Sequence, residues 1–122
     1  MQAEILKLVK NEMISMGINY EYLEYTQPLK YPYVVGEYSE IRYWFEANAT
    51  AAELILTCFT RGAMVTLIQL TNRLKRHFRD YRAVLPNGTA HIAYDRAITI
   101  RTGEEDLRRM ELYFDILFTE GC

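Results

Sequence analysis

The chain contains little cysteine, histidine and serine, and the few residues of these types exclude several classes of site. Its 122 residues include two cysteines and three prolines. Cys58 lies in an apolar stretch and Cys122 is the last residue, so the pair forms neither a disulfide framework nor a metal-binding spacing. We expect Cys58 to be a small buried apolar side chain and Cys122 to lie at a frayed end.

Long hydrophobic runs are also missing. No apolar stretch approaches the roughly 18 residues of a membrane span, and the first residues intersperse charges instead of following the plan of a signal peptide. Half of the residues are hydrophobic and a quarter are charged, which is ordinary globular composition. We therefore expect one domain over residues 1–122, made in a cytoplasm and without a membrane partner.

Signatures of catalysis and cofactor binding are absent from the sequence. It contains no glycine-rich phosphate loop, dinucleotide fingerprint, His-Glu-x-x-His or Gly-x-Ser-x-Gly. His77 and His91 have no third ligand at metal spacing. The acidic group Glu104, Glu105 and Asp106 could bind a cation or transfer protons, but a solvated loop or a contact for a neighbour's arginines is the favoured interpretation. We expect no catalytic residue, no cofactor and no metal.

The most regular pattern in the chain is the alternation over residues 107–118. Met110, Leu112, Phe114, Ile116 and Phe118 fall on one parity, and Arg109, Glu111, Tyr113 and Asp115 fall on the other. A period of two predicts a strand with one face in the core and one outside it. Residues 50–61 alternate similarly, although Ile55 and Phe59 fall on the polar parity, so the second face of that strand is not wholly wet.

Two segments have the three- and four-residue spacing of amphipathic helices. The first is followed by Gly17, and the second ends in cations, which the helix dipole favours there. The apolar stripe of the first helix is Ile5, Leu8, Val9, Met13 and Met16; that of the second is Met64, Leu67, Ile68, Thr71, Leu74 and Phe78.

Turn signals organise the remaining strands. Pro28 and Pro32 interrupt an early extended region, Gly36 interrupts the next and could mark a bulge, and Asn87-Gly88 predicts a hairpin. The order of elements predicts an α+β fold: a two-layer sandwich with a mainly antiparallel sheet of about four to five strands and two amphipathic helices on one face.

The net charge of −2 conceals blocks of opposite sign. Residues 19–53 carry −4, residues 54–101 carry +6 and residues 102–122 carry −4. Such blocks suit head-to-tail association, although solvated surfaces would give the same pattern. The candidate interface residues are Arg76, Arg79 and Arg82 on one side, and Glu104, Glu105, Asp106 and Arg109 on the other.

Two further features have more than one interpretation. The basic stretch 73–82, with Phe78 and Tyr81 interleaved, could follow phosphates, but its acidic surroundings indicate at most non-specific contact with DNA. The aromatic residues between positions 20 and 44 fit either an interface or ordinary strand composition; they are Tyr20, Tyr22, Tyr25, Tyr31, Tyr33, Tyr38, Tyr43 and Trp44.

Several stretches resemble one family. They are EILKLVKNE at 4–12 with GINY at 17–20, YPYVVGEYSE at 31–40, LTCFTRG at 56–62 and IRTGEEDLRRMEL at 100–112. In this order they resemble small tail proteins of long-tailed bacteriophages and prophages, the group of tail terminators, tail-completion and head–tail joining proteins.

The resemblance implies a non-enzymatic virion component that is made in the bacterial host cytoplasm and located in the tail. It implies a homo-oligomeric ring, commonly of six subunits, that meets tail-tube and connector proteins. On this reading Arg76, Arg79 or Arg82 meets Glu104, Glu105 or Asp106 of a neighbour. The alternative hypothesis is a small regulatory or nucleic-acid-associated binding module that uses residues 73–82.

Overall fold

The computed structural model describes residues 2–23 and 30–121, so the expectations for Tyr25, Pro28 and Cys122 lie outside the described residues. The fold is α+β. In chain order the elements are α1 (Gln2–Ser15), β1 (Asn19–Tyr22), β2 (Tyr33–Trp44), a 3-10 turn (Phe45–Ala47), β3 (Ala49–Arg61), α2 (Met64–Phe78), β4 (Asp80–Leu85), β5 (Gly88–Ile100) and β6 (Leu107–Glu120).

The strands form one mixed sheet in the order β1-β2-β3-β6-β5-β4. It has six strands where the sequence predicted four to five, and its β1–β2 pair is parallel while the other pairs are antiparallel. The prediction was therefore wrong in strand number, whereas four of the five strand pairs are antiparallel, in agreement with a mainly antiparallel sheet. Asn19 is in register with Tyr33, so the short β1 adds to the start of β2 in the same direction.

Gly36 continues a strand instead of interrupting it. It pairs with Leu56 of β3 and with Tyr22 of β1. A side chain at this position would overlap the phenol ring of Tyr20, so the glycine permits a close approach of that ring. The bulge lies farther along, between Glu40 and Arg42, and residues 33–44 therefore form one long strand.

A single hydrophobic core joins both helices to one face of the sheet. The predicted alternation in β3 and β6 is confirmed, because alternate residues of these central strands are buried and pair across them. They are Ala52, Leu54, Leu56 and Cys58 of β3 and Met110, Leu112, Phe114 and Ile116 of β6. Ile5, Val9 and Met13 of α1 and Leu67, Leu74 and Phe78 of α2 pack against them.

The stripe predicted for α2 is correct except at Ile68. The buried residues of α2 are Leu67, Leu70, Thr71, Leu74 and Phe78, whereas the Ile68 side chain is 43 % exposed. With 3.6 residues per turn, the buried positions centre on the line from Leu67 through Leu74. Ile68 lies at the margin of that line, and Leu70 occupies the core instead.

Polar contacts connect the two helices. Glu12 of α1 accepts from His77 Nε2 of α2 at 2.7 Å, and Arg73 donates to the carbonyl oxygen of Met16 at 2.7 Å. Gly17 follows α1 with a φ of +71°, a left-handed conformation that glycine adopts without strain. The predicted stop is thereby confirmed, and α1 is fixed against α2.

A hairpin is confirmed at the predicted place, but its connection lies one residue earlier than the predicted Asn87-Gly88 turn. Leu85 of β4 pairs with Gly88 of β5, so Pro86 and Asn87 form a two-residue connection. A Cβ at Gly88 would overlap the carbonyl oxygen of Thr119 in β6. This glycine therefore allows the hairpin end to lie tightly against the neighbouring strand.

Candidate functional site

The face of the sheet that carries no helix is called the open face here. Among the described residues, it presents the polar parity of β6 and the matching residues of β3 and β5. These are Arg109, Glu111, Tyr113, Asp115 and Leu117; Glu53, Ile55, Thr57 and Phe59; and His91, Arg96 and Ile98. The sequence prediction that Ile55 and Phe59 make this face partly apolar is confirmed, because both side chains are half-buried.

One part of the open face is held together by contacts within the chain. The Arg96 guanidinium lies 4.1 Å from the centre of the Tyr113 ring, and the Tyr113 hydroxyl donates to Glu111 at 2.9 Å. The pKa of Tyr113 is raised, first by that hydrogen bond to a carboxylate. These three side chains therefore contact one another across β5 and β6.

Next to this network an acidic row crosses the sheet. Glu53 of β3 lies directly opposite Asp115 of β6, and Asp80 of β4 lies on the same line through Ala93. Asp80 pairs with His91 and Arg82. Neither Glu53 nor Asp115 forms an ion pair within the described residues, and like charges directly opposite each other in a sheet are destabilising.

Exposed apolar side chains flank the acidic row. Ile98 of β5, which is 42 % exposed, pairs with Glu111 on one side of the row, and Leu117 of β6, which is 43 % exposed, lies on the other. Charged and apolar groups therefore alternate along the open face. Exposed apolar side chains grouped on one face are more typical of a protein interface than of a surface that contacts only solvent.

The outer surface of α2, called the outer stripe here, has the opposite character. Its exposed residues at helical spacing are Val65, Ile68, Asn72, Arg76 and Arg79. The stripe begins with two apolar side chains and ends with two arginines, and neither arginine forms an ion pair among the described residues.

Other cations of the 73–82 stretch are used within the chain. Arg73 binds the end of α1, the Lys75 ammonium lies 5.5 Å from the centre of the Tyr94 ring, and Arg82 lies 3.6 Å from Asp80. Of the candidate residues Arg76, Arg79 and Arg82, the structure thus leaves the first two without an ion-pair partner in the described chain.

The acidic candidates lie elsewhere, in the connection between β5 and β6. Arg61 donates to Glu104 at 3.0 Å and to Asp106 at 2.9 Å, so two of the three carboxylates already have a cation. Arg109 lies 3.4 Å from Glu111. Sequence reasoning missed Arg61 because it precedes this connection by more than 40 residues; the β3–β6 register, with Arg61 opposite Leu107, brings it there.

The helices and the sheet carry opposite charge. Residues 2–16 and 63–79 hold six Lys and Arg against two Glu, a net charge of +4. The other described residues, 17–23, 30–62 and 80–121, hold eight Lys and Arg against thirteen Asp and Glu, a net charge of −5. The two helices are therefore basic, and the strands and loops that the structure describes are together acidic.

Burial leaves several ionisable groups in their neutral form. It raises the pKa of the Tyr38 hydroxyl to about 12, and it also raises the pKa of the Tyr20 hydroxyl and of the Cys58 thiol. A group whose pKa rises by burial is less ionised at neutral pH. These tyrosines and the cysteine are therefore not activated as nucleophiles by their surroundings.

The two histidines lie apart, each beside a carboxylate. His77 contacts Glu12 between the helices, and His91 contacts Asp80 at the β4–β5 edge at 2.5 Å. Within the part of the chain that the structure describes, no three His, Cys, Asp or Glu side chains are grouped so that they could hold a metal ion.

The aromatic residues divide between core and surface. Tyr33 and Tyr38 are buried, and Tyr20 and Tyr22 pack against the core. Tyr43 and Trp44 are exposed at the end of β2, where the Arg42 guanidinium lies 5.3 Å from the centre of the Trp44 ring. The buried tyrosines therefore belong to the core, and the interface interpretation stays a prediction for the exposed Tyr43 and Trp44.

Over the described residues, none of the helices has the length and hydrophobicity needed to cross a membrane.

Comparison with known proteins places the chain in no family. A scan against protein-family models and a search of curated protein sequences both find no match to the chain.

Proposed function

We propose that this protein is a structural component of a bacteriophage or prophage tail, a ring-forming terminator, head–tail joining or minor tail protein. It acts through surfaces and has no catalytic role. The observation that carries the proposal is the pairing of two unlike surfaces on one small domain: the open face, with its acidic row, and the outer stripe, with its two arginines.

A ring subunit needs two different patches, because each copy meets one neighbour with one surface and the next neighbour with another. A two-layer domain with helices on one side and a bare sheet on the other supplies such a pair. The resemblance of residues 4–12, 31–40, 56–62 and 100–112 to small tail proteins supports the same assignment. The tail tube and the connector are the further partners, and the virion tail is the location.

The test is deletion of the gene from the prophage that carries it. After induction, negative-stain electron microscopy of the lysate should show unjoined heads and tails or tails of abnormal length, and infective particles should fall by several orders of magnitude. Supplying the intact gene in trans is the matched control and should restore joined particles. A deletion strain that yields normal, fully infective virions would refute the proposal.

The alternative is a nucleic-acid-binding module that uses residues 73–82. The structure reduces its support, because Arg73, Lys75 and Arg82 contact groups within the chain. Retention on a DNA column that falls steeply with salt, and that is lost in Arg76→Glu/Arg79→Glu, would favour this alternative. We expect no retention near 150 mM salt.

A further inference from the structure

We propose that the partner of the open face is the outer stripe of a second copy of this chain, with Arg76 and Arg79 seated at Glu53 and Asp115. The contact deepens the proposed function and rests on its claim of a ring. It differs from the pairing expected from the sequence, in which the neighbour supplied Glu104, Glu105 or Asp106.

The first argument is charge complementarity. Glu53 and Asp115 are like charges in direct cross-strand register, which is an unfavourable arrangement. None of Glu53, Asp115, Arg76 and Arg79 forms an ion pair within the described chain, although the charge of Arg79 helps to lower the pKa of Asp80. Glu104 and Asp106 already share the Arg61 guanidinium as an ion-pair partner. A neighbour's arginines therefore gain more at the Glu53–Asp115 pair, where they relieve a repulsion, than at the β5–β6 connection.

The second argument is spacing. Ile68 and Arg76 are eight positions apart in α2, which is about 12 Å along a helix axis. On the open face, Ile98 lies opposite Glu111, four positions from Asp115, which is about 13 Å along a strand. An α2 helix laid along β5 and β6 thus places Ile68 on Ile98 when Arg76 reaches Asp115. Leu117 is only two positions from Asp115, about 7 Å along the strand. This spacing is too short to match the distance between Ile68 and Arg76.

The third argument is the apolar surface left outside the core. Val65 and Ile68 of the outer stripe are 55 % and 43 % exposed, and the open face exposes Ile98. Contacts between specific partners cover apolar groups at their centre and place charges around them. Because the two patches differ, the contact is heterologous, and it generates a ring if the rotation closes.

The experiment uses two reversed variants of the full chain. The helix variant is Arg76→Glu/Arg79→Glu, and the sheet variant is Glu53→Lys/Asp115→Lys. The sheet variant exchanges one like-charged pair for another, so its monomer keeps a comparable repulsion. Glu105→Lys is the control, since Glu105 is an exposed acid of the β5–β6 connection.

Each reversed variant alone should lose the oligomer, with dissociation at least about tenfold easier, because close charge pairs at interfaces couple strongly. In sedimentation velocity both should run as monomers at concentrations where the native chain and Glu105→Lys form the ring. Circular dichroism melts should show that each variant is folded.

The decisive measurement is an equimolar mixture of the two variants. The acidic helix of one then meets the basic sheet of the other, and the basic helix of the second meets the acidic sheet of the first. Every contact in an alternating ring is complementary, so the ring should reappear in the mixture, with both masses in equal amounts by native mass spectrometry.

Several outcomes overturn the contact. They are variants that keep the native mass alone, a mixture that stays monomeric, loss of the oligomer in Glu105→Lys, and a native chain that is monomeric at every concentration. None of them decides the proposed function, which the gene deletion tests separately. A defective virion with an unaltered ring in the reversed variants would keep the tail assignment and refute this contact.

Discussion

Glu53 and Asp115 face each other across β3 and β6 on the open face, two carboxylates in direct register that form no ion pair within the described residues. Cross-strand pairs of like charge weaken a sheet, whereas pairs of opposite charge stabilise it. The isolated subunit should therefore be less stable than a subunit in which this pair of like charges is removed.

Glu53→Gln should consequently stabilise the isolated subunit while it weakens self-association. Removal of the repulsion is worth about 0.2–1 kcal/mol in free energy of unfolding, measured by urea denaturation at low protein concentration and low salt. Glu105→Gln is the matched control and should change stability little. A Glu53→Gln subunit less stable than the native one would show that Glu53 has a favourable partner within the chain.

Phe114→Ala should destabilise the fold by about 3–5 kcal/mol. Phe114 is fully buried, and its ring makes edge contacts with Phe78 and Tyr94 at centroid distances of 5.9 Å and 5.8 Å. Phe45→Ala is the control, because Phe45 is 81 % exposed and its truncation should leave stability nearly unchanged. Equal effects of the two changes in urea denaturation would contradict the assignment of the core.

Gly88→Ala should cost about 1–3 kcal/mol, the range for overpacking. The added methyl group would overlap the carbonyl oxygen of Thr119. Thr119 belongs to β6, the strand that pairs with β5 on the side opposite β4. Gly17→Ala is the comparison, because the space around Gly17 is empty and only its positive φ opposes a side chain. Thermal melts in which Gly88→Ala costs less than Gly17→Ala would exclude the close approach.

The Asp80–His91 pair should make part of the stability depend on acid pH. The hydrogen bond with His91 is the first cause that lowers the pKa of Asp80 in the fold. A lowered carboxyl pKa stabilises the fold above the ordinary value of about 3.9, and this contribution is lost as the pH falls through the lowered pKa. In His91→Ala the pKa of Asp80, followed by carboxyl carbon NMR, should move back toward the ordinary value.

His77→Ala is the control for that titration, since His77 contacts Glu12 on the other side of the molecule. It should leave the pKa of Asp80 unchanged. An Asp80 pKa that is equal in the native chain and in His91→Ala would show that another group, such as Arg82, lowers it.

The sequence predicted the elements better than their assembly. The alternation of residues 107–118 and the spacing from Leu67 to Phe78 anticipate a half-buried strand and a packed helix, because these periods reflect local geometry. Ile68 and Gly36 were assigned incorrectly for a shared reason. The burial of a side chain at the margin of an apolar stripe depends on its tertiary neighbours, and so does the continuation of a strand through a glycine. The spacing of residues in the sequence does not specify those neighbours.

The candidate site was less predictable than the fold. The sequence located the cations of α2 and the acids of the β5–β6 connection, yet it could not show that Arg61 binds Glu104 and Asp106. It also could not show that Glu53 lies opposite Asp115, since 62 positions separate them in the chain and only the β3–β6 register brings them together.

What the sequence by itself determined is local: two amphipathic helices, the buried parity of the central strands, the Asn87-Gly88 hairpin and the alternation of charge in blocks. These follow from side-chain periods and turn chemistry, which act over a few residues. Tertiary structure alone decided the parallel β1–β2 edge, the cross-strand position of Glu53 opposite Asp115 and the ion-pair partners of Arg61, because strand order and register depend on the burial of one shared core.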